Sequence, residues 1–422
     1  MSYTETISSL LENLFEKSIK APTKLLFKKN RSKNNIYQII ENLIDTKSNI
    51  SRVKYAKEFF ALVNEFDQKD LSELMIHLRD KRDIDAKLLK LCTDNYIQDN
   101  SEQNYIKLQE ALASKRKELF RKLNCFDEST IYLVNLRRKI IANSSNDNNF
   151  QKVDYDLKTL FIDWFNRGFL IMKPIDWNTP ASILEKIIKY ESVHQINTWP
   201  ELRDRIDSYD RRCFAFFHPA MATEPLIFVE VAFLNGIPEK IDTILNTKRE
   251  MLSKSDSDTA VFYSISNCQR GLDGISFGNF LIKDVVTYIE KEAPNIKNFI
   301  TLSPVPKFMT WIKANDHELH RELTDEYLLE HFEKNQEKLN IHVRNYLLIS
   351  DRKDKKPNDP VSRFHLGNGA SMHQINFMAD TSEKSLKKGA TFMINYKYDS
   401  KYIKDNHENY TKYNRVITKK NI

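Results

Sequence analysis

A chain of 422 residues is long for a single core, so two domains are expected. Hydrophobic residues at 41% and aromatics at 11% are ample for globular packing. A formal net charge of +7 is small for this length and argues against a nucleic-acid binder, which needs a concentrated basic face.

The chain opens with MSYTETISSLLENLFEK, which carries Glu5, Glu12 and Glu16 and no basic leader. A signal or transit peptide is therefore not expected, and the closing ITKKNI is no peroxisomal address. ISSLLENLFEKSI sets Ile7, Leu10, Leu11, Leu14 and Phe15 on one helical face, and IYQIIENLI repeats the pattern from Ile36 to Ile44. VKYAKEFFALVNEF and KLLKLCTDNYI continue the i, i+3, i+4, i+7 spacing of amphipathic helices. No glycine occurs before Gly168, in keeping with helix interiors. The basic clusters KKNRSK and SKRKELFRK lie within these patterns and read as solvated faces. The polar run ANSSNDNNFQK, residues 142–152, reads as a linker. It divides a helical bundle, 1–152, from a second domain, 153–422.

Beyond it the texture changes. RRCFAFFHP and EPLIFVEVAFL have the β-branched and aromatic content of strands, and TAVFYSIS alternates like another. The run PLIFVEVAFL is broken by Glu230 and falls short of the ~20 residues a membrane helix needs. GNFLIKDVVTYIEKEAP reads as a helix ended by Pro294, and NFITLSP as a short strand stopped by proline. HLGNGASMHQINFMAD and ATFMINYKYD both read as strands. The fold class is thus α+β, a helical bundle followed by a mixed α/β domain. The four cysteines, Cys92, Cys125, Cys213 and Cys268, form no CxxC pair. Neither a zinc site nor a redox pair is expected, and reduced thiols suit a cytoplasm.

Three of the 8 glycines, Gly271, Gly274 and Gly278, crowd into SISNCQRGLDGISFG between a strand and a helix. Such a junction can hold a phosphate on free backbone N–H groups at the helix start, and glycine permits close approach and positive φ. GxGxxG and GxxxxGK[ST] are both absent, which removes the dinucleotide and Walker-A readings. A pyrophosphate loop of the kind that grips coenzyme A in acetyltransferase-like folds remains, beside a tight turn with no ligand.

FYSISNCQRGLDGISFGNFLIK, TLSPVP, RRCFAFFHPAMATEPL, FHLGNGASMHQINFMAD and MINYKY together resemble malonyl-CoA decarboxylases, over roughly residues 155–400. The resemblance implies an N-terminal helical domain used in assembly, as dimer or tetramer, and a C-terminal catalytic domain of the acetyltransferase-like (GNAT) fold. It implies decarboxylation of malonyl-CoA to acetyl-CoA without metal or biotin. The family's catalytic serine falls on Ser303 of TLSPVP and its catalytic histidine on His365. A tyrosine of the NYxY motif, lining the site, falls on Tyr398. The coenzyme A loop falls on Leu272, Asp273, Gly274, Ile275, Ser276, Phe277 and Gly278. Where the family carries a glutamate after the GLxG(V/I) segment, this chain has Ser276. FHPAMATEPL matches in part, keeping Glu224, Pro225 and Leu226.

The residues suit this chemistry. Loss of CO2 leaves an electron pair on the α-carbon, which must spread into the thioester carbonyl as an enolate. That oxygen needs hydrogen-bond donors in a water-poor pocket, and the carbanion needs a proton. Ser303 precedes Pro304 and so takes extended backbone. His365 can orient Ser303 or meet the carboxylate or enolate itself. Tyr398 offers a second hydroxyl. His218 and His373 are further candidates, and Arg270 and Lys283 flank the loop as candidate phosphate partners. Two other readings stand beside this one: an acyl-CoA-dependent N-acyltransferase on the same fold, and a coenzyme A-binding protein whose catalysis has decayed.

Overall fold

The structure, a computed structural model, describes residues 35–144, 150–249, 251–252, 254–275 and 281–419. The helix expected over residues 7–19 lies outside the described residues.

The chain divides into two compact units, each built from more than one stretch. The first comprises residues up to 171 together with 217–225 and 269–277. Its helices are α1 (Ile36–Asp45), α2 (Asn49–Glu65), α3 (Gln68–Lys81), α4 (Ala86–Gln98), α5 (Glu102–Ala111), α6 (Lys115–Leu123), α7 (Ser129–Ser144) and α8 (Gln151–Trp164). Periodicity explains them: α1 buries Ile36, Ile39, Ile40 and Leu43, one stripe of a 3.6-residue repeat. Their starts carry local signals as well. Asp67 and Asp70 form a reciprocal capping box at α3, and Asp85 and Ser114 cap α4 and α6. Helix α8 starts inside the polar run at 142–152 and buries Val153, Leu157, Leu160 and Phe161 in this unit. The buried Arg116 guanidinium ties the helices together, bonding Asp156 at 2.9 Å, Asp83 at 3.0 Å and the Leu78 carbonyl at 3.1 Å. A buried cation is tolerated only when its donors are filled in this way.

The second unit takes residues 172–216, 226–268 and 278–422. It contains the mixed sheet, with strands β1 (Ile171–Ile175), β2 (Arg211–Phe217), β3 (Ile227–Leu234), β4 (Thr259–Asn267), β5 (Asn298–Thr301), β6 (Ser303–Pro304), β7 (Ser371–Asn376) and β8 (Met393–Tyr398). The order is β1-β2-β3-β4-β5-β8-β6, with β7 also paired to β8. β2, β3 and β4 run antiparallel in turn, β4 and β5 are parallel, and β5, β6 and β7 each meet β8 antiparallel. A parallel pair needs a crossover, supplied here by a connection containing helix α10 (Leu281–Glu292); α9 (Ala181–Tyr190) follows β1. Strands β2, β3 and β4 are buried almost throughout, which is why β2 and β3 read as nearly continuous apolar runs, while β4 buries polar Thr259, Ser264 and Ser266 as well.

One element differs from the sequence reading. HLGNGASMHQINFMAD was expected to be strand. Its first residues instead end a helix, α11 (Pro360–Gly367), and only Ser371–Asn376 is strand. Asp359 caps that helix by accepting from the Ser362 N–H at 2.6 Å, and Pro360 occupies its first turn. An N-terminal helical region followed by a mixed sheet domain is the architecture expected from the sequence. Among the described residues no helix is long and apolar enough to cross a membrane.

Candidate functional site

Two places carry the expected residues, one in each unit. The catalytic candidates lie in the second. Side chains alternate along a strand, so residues two apart share a face. Thr301 and Ser303 are two apart, and so are Tyr396 and Tyr398 on the neighbouring β8. Ser303 pairs with Ile394 in register. Helix α11 brings His365 between these hydroxyls.

The resulting contacts form a chain. His365 Nε2 lies 3.0 Å from Ser303 Oγ, and Nδ1 lies 2.8 Å from the Tyr398 hydroxyl. The Tyr396 ring stacks on the imidazole with centroids 4.6 Å apart. Tyr396 also hydrogen-bonds the Ser362 hydroxyl, which ties the strand to helix α11. Ser303 is 6% exposed, His365 2% and Tyr398 2%. Burial alone pushes the His365 imidazole down to about 3, so the ring is neutral at physiological pH. The same burial raises the Tyr398 phenol well above its ordinary value, keeping it protonated.

One proton arrangement satisfies this chain. Thr301 Oγ1 accepts the Tyr396 N–H at 3.1 Å and donates to the Ile394 carbonyl at 3.4 Å. Its remaining lone pair takes the Ser303 hydroxyl at 2.9 Å. Ser303 Oγ then accepts from His365 Nε2–H, and Nδ1, the acceptor of the neutral ring, takes the Tyr398 hydroxyl. Ser303 is thus held by Thr301 and His365 together and keeps one donor that can swing to a ligand.

Ser303 and His365 open onto a cavity of about 250 Å³ whose wall includes Val193, Phe262, Ile265 and Phe364. Tyr398 does not line it and acts behind the imidazole. The wall at Val193 is held from two sides. The Glu191 carboxylate accepts the Val193 and His194 N–H groups at 2.7 Å each. The Lys384 ammonium donates to the Val193 carbonyl at 2.7 Å.

The expected coenzyme A loop lies in the first unit. Leu272 and Ile275 are buried, and Asp273 and Gly274 are exposed. Ser276, Phe277 and Gly278 lie outside the described residues. Gly274 has φ +75, a conformation that favours glycine. Gly271 has a different reason. A methyl group there would sit 1.9 Å from the Val134 carbonyl oxygen of α7, so the close approach of that helix is what requires glycine here. Arg137 of α7 pins the turn, donating to the carbonyls of Gly271 at 2.8 Å and Asp273 at 3.0 Å while bonding Asp154 at 2.8 Å.

His218 is occupied structurally. Its Nδ1 accepts the Ala220 N–H at 3.1 Å, so Nε2–H donates to the Trp164 carbonyl at 3.0 Å. His373 lies on β7 and does not line the cavity at Ser303 and His365. Arg270 opens the short helical turn Arg270–Leu272, and Lys283 lies in the first turn of α10.

Sequence reasoning missed Thr301, Tyr396, Asp359 and Arg137. The first two were findable, since each sits two residues from a named candidate on a strand. Asp359-Pro360 is a helix-start signal that was passed over. Arg137 carries no local signal, because its carbonyl partners lie 134 and 136 residues away.

Residues 168–422 match the family model for the malonyl-CoA decarboxylase C-terminal domain, and residues 83–165 match that for its N-terminal domain. A mitochondrial malonyl-CoA decarboxylase of the goose Anser anser anser is 32% identical over 326 residues, covering 68% of this chain and 64% of the goose protein. The chain therefore spans just under two thirds of that relative. The crystal structure of malonyl-CoA decarboxylase from Rhodopseudomonas palustris superposes with a TM-score of 0.87 at 37% identity, covering 93% of this chain and 99% of that one. The enzyme from Agrobacterium vitis gives 0.84 at 39% identity, covering 91% and 98%.

Proposed function

The chain belongs to the malonyl-CoA decarboxylase family, and from that premise we propose that it converts malonyl-CoA to acetyl-CoA and CO2. The supporting observation is the buried Ser303–His365 contact of 3.0 Å at the wall of an otherwise largely apolar cavity. In the proposed reaction the C–C bond to the carboxylate breaks, and its electron pair enters the thioester carbonyl as an enolate. The Ser303 hydroxyl turns from Thr301 to that oxygen, oriented by His365 Nε2–H. Tyr398 holds the imidazole in the required tautomer. The α-carbon then takes one proton per turnover, so the reaction consumes a proton. The thioester carbonyl is itself the electron sink, and no metal or biotin is required. Leu272 to Gly278 are assigned to the phosphates of coenzyme A, residues 1–152 to assembly as dimer or tetramer, and 153–422 to chemistry. The four cysteines, all free, suit a reducing compartment, in our reading the cytoplasm.

The test is malonyl-CoA and purified protein alone, without ATP, biotin or added metal, with the coenzyme A esters separated by chromatography. Acetyl-CoA is expected, with Ser303→Ala and His365→Ala each slower by on the order of 100- to 1000-fold, the usual loss for an oxyanion donor. Ser276, where the family carries glutamate, favours one second reading, a binder without catalysis. Coenzyme A binding by the folded protein without acetyl-CoA formation would establish that reading and sink ours.

A further inference from the structure

Lys158 lies midway along α8, half-buried, and makes no hydrogen bond or ion pair among the described residues. Its natural partner on a helix is Asp154, the acid four residues before it. That carboxylate is taken by Arg137 at 2.8 Å. Asp156, two residues before it in sequence, is taken by Ser114 at 2.7 Å and Arg116 at 2.9 Å. The unpaired ammonium lies over the Gly271–Ile275 turn: a methyl group at Gly274 would sit 3.2 Å from Lys158 Nζ.

The turn presents a matching donor. The N–H groups of Leu272, Asp273 and Ile275 are used within the turn, by Gln269, Arg270 and Leu272 carbonyls. The carbonyls of Gly271 and Asp273 are held by Arg137. The Gly274 N–H has no partner among the described residues. Gly274 and the Lys158 ammonium therefore lie side by side, each without a partner among the described residues, with Arg270 exposed on the same turn. The one acid of this turn is Asp273, whose side chain is exposed as a whole but whose carboxyl is partly desolvated and so raised, against the pull of Arg137 and Arg270.

We propose that Lys158, with the Gly274 N–H, binds the pyrophosphate of coenzyme A. The helical part of the chain thereby supplies a substrate contact as well as assembly. This rests on the reading of the loop as a coenzyme A site. An ammonium paired with a backbone amide is a suitable anion cradle, since charge-assisted bonds to phosphate are among the stronger ones in water. The contact is remote from the reacting bond and is the same in ground and transition states. Its loss therefore acts on affinity and KM while leaving kcat in place.

The experiment compares wild type, Lys158→Ala and Lys158→Arg. Calorimetry gives Kd for coenzyme A, and turnover is followed with malonyl-CoA and with malonyl-pantetheine, which lacks the phosphates. Lys158→Ala is expected to raise Kd and KM for the coenzyme A compounds by roughly 10- to 100-fold, with kcat unchanged. Lys158→Arg should restore most of the affinity, and malonyl-pantetheine should not distinguish the three proteins. A Kd in Lys158→Ala within about twofold of wild type, or an equal loss on malonyl-pantetheine, would overturn the proposal. Folded wild type that binds no coenzyme A would overturn both this proposal and the loop reading. Binding without turnover would sink the decarboxylase reading alone and leave Lys158 to be judged on Kd.

Discussion

His365 shows how one residue acquires its chemistry from its surroundings. Both ring nitrogens are engaged, by Ser303 and Tyr398, and one face is covered by Tyr396. No carboxylate pairs with the ring, so burial acts unopposed and holds the imidazole at about 3. A neutral ring can carry Nε2–H toward Ser303 across the whole physiological range, where an unperturbed histidine titrates near 6.5. The His365 ring signals in a proton–carbon NMR spectrum should therefore keep their neutral positions from pH 8 down to pH 5. An imidazolium signal growing in near pH 6.5 would refute the assignment. The folded value lies below the unfolded one, so the contribution is whole above about 6.5 and shrinks as pH falls toward 3, by about 2 kcal/mol at pH 5. The drop in melting temperature between pH 7 and pH 5 should accordingly be smaller in His365→Gln than in wild type.

The turn at Gly271–Ile275 is an element shaped from outside itself. Arg137 and Val134, both on α7, fix its carbonyls and its closest approach. Gly271→Ala must push the turn off α7, since the added methyl meets a backbone oxygen and not a flexible side-chain end. A loss of about 1–3 kcal/mol is expected, as for overpacking in a core. Gly274→Ala meets only the Lys158 side chain, and its cost is the positive φ, about 1–2 kcal/mol. Thermal unfolding of the two variants checks this. Equal, negligible shifts would mean that the turn is not seated on α7. Helix α11 is the converse case, an element specified locally by Asp359 and Pro360 whose importance is the non-local residue it carries.

At the scale of the whole molecule, the described helical region shows exposed apolar side chains on two of its helices. Helices α4 and α5 contact each other and bury only Cys92 and Ala111. Leu88, Leu91, Ile97, Tyr105, Ile106 and Leu112 are between 47% and 76% exposed. So many exposed apolar side chains on two packed helices suit a protein interface, and a second copy of the chain is the occupant that fits the proposed assembly role. Light scattering should give two or four times the chain mass of 49.8 kDa. Leu91→Glu combined with Ile106→Glu should reduce it to one, because neither side chain supports the core. A wild-type monomer would refute assembly.

Much of this was legible in the sequence. Helical periodicity placed α1, α2 and α4, apolar runs and alternation placed β2 to β4, and Ser303, His365 and Tyr398 were named before any geometry. Each rests on chain-local physics or on a motif, and the tertiary structure brings all three into one hydrogen-bonded row. Gly271 stood out in the sequence only as one of three crowded glycines, and packing revealed the helix against it. Lys158 and Arg137 carried no signal, because what distinguishes them is a partner taken or left free far along the chain. Local periodicity and capping are written into neighbouring residues and so survive in one dimension. Charge pairing, burial and close approach depend on which distant groups arrive first at the same place, and only the folded chain decides that.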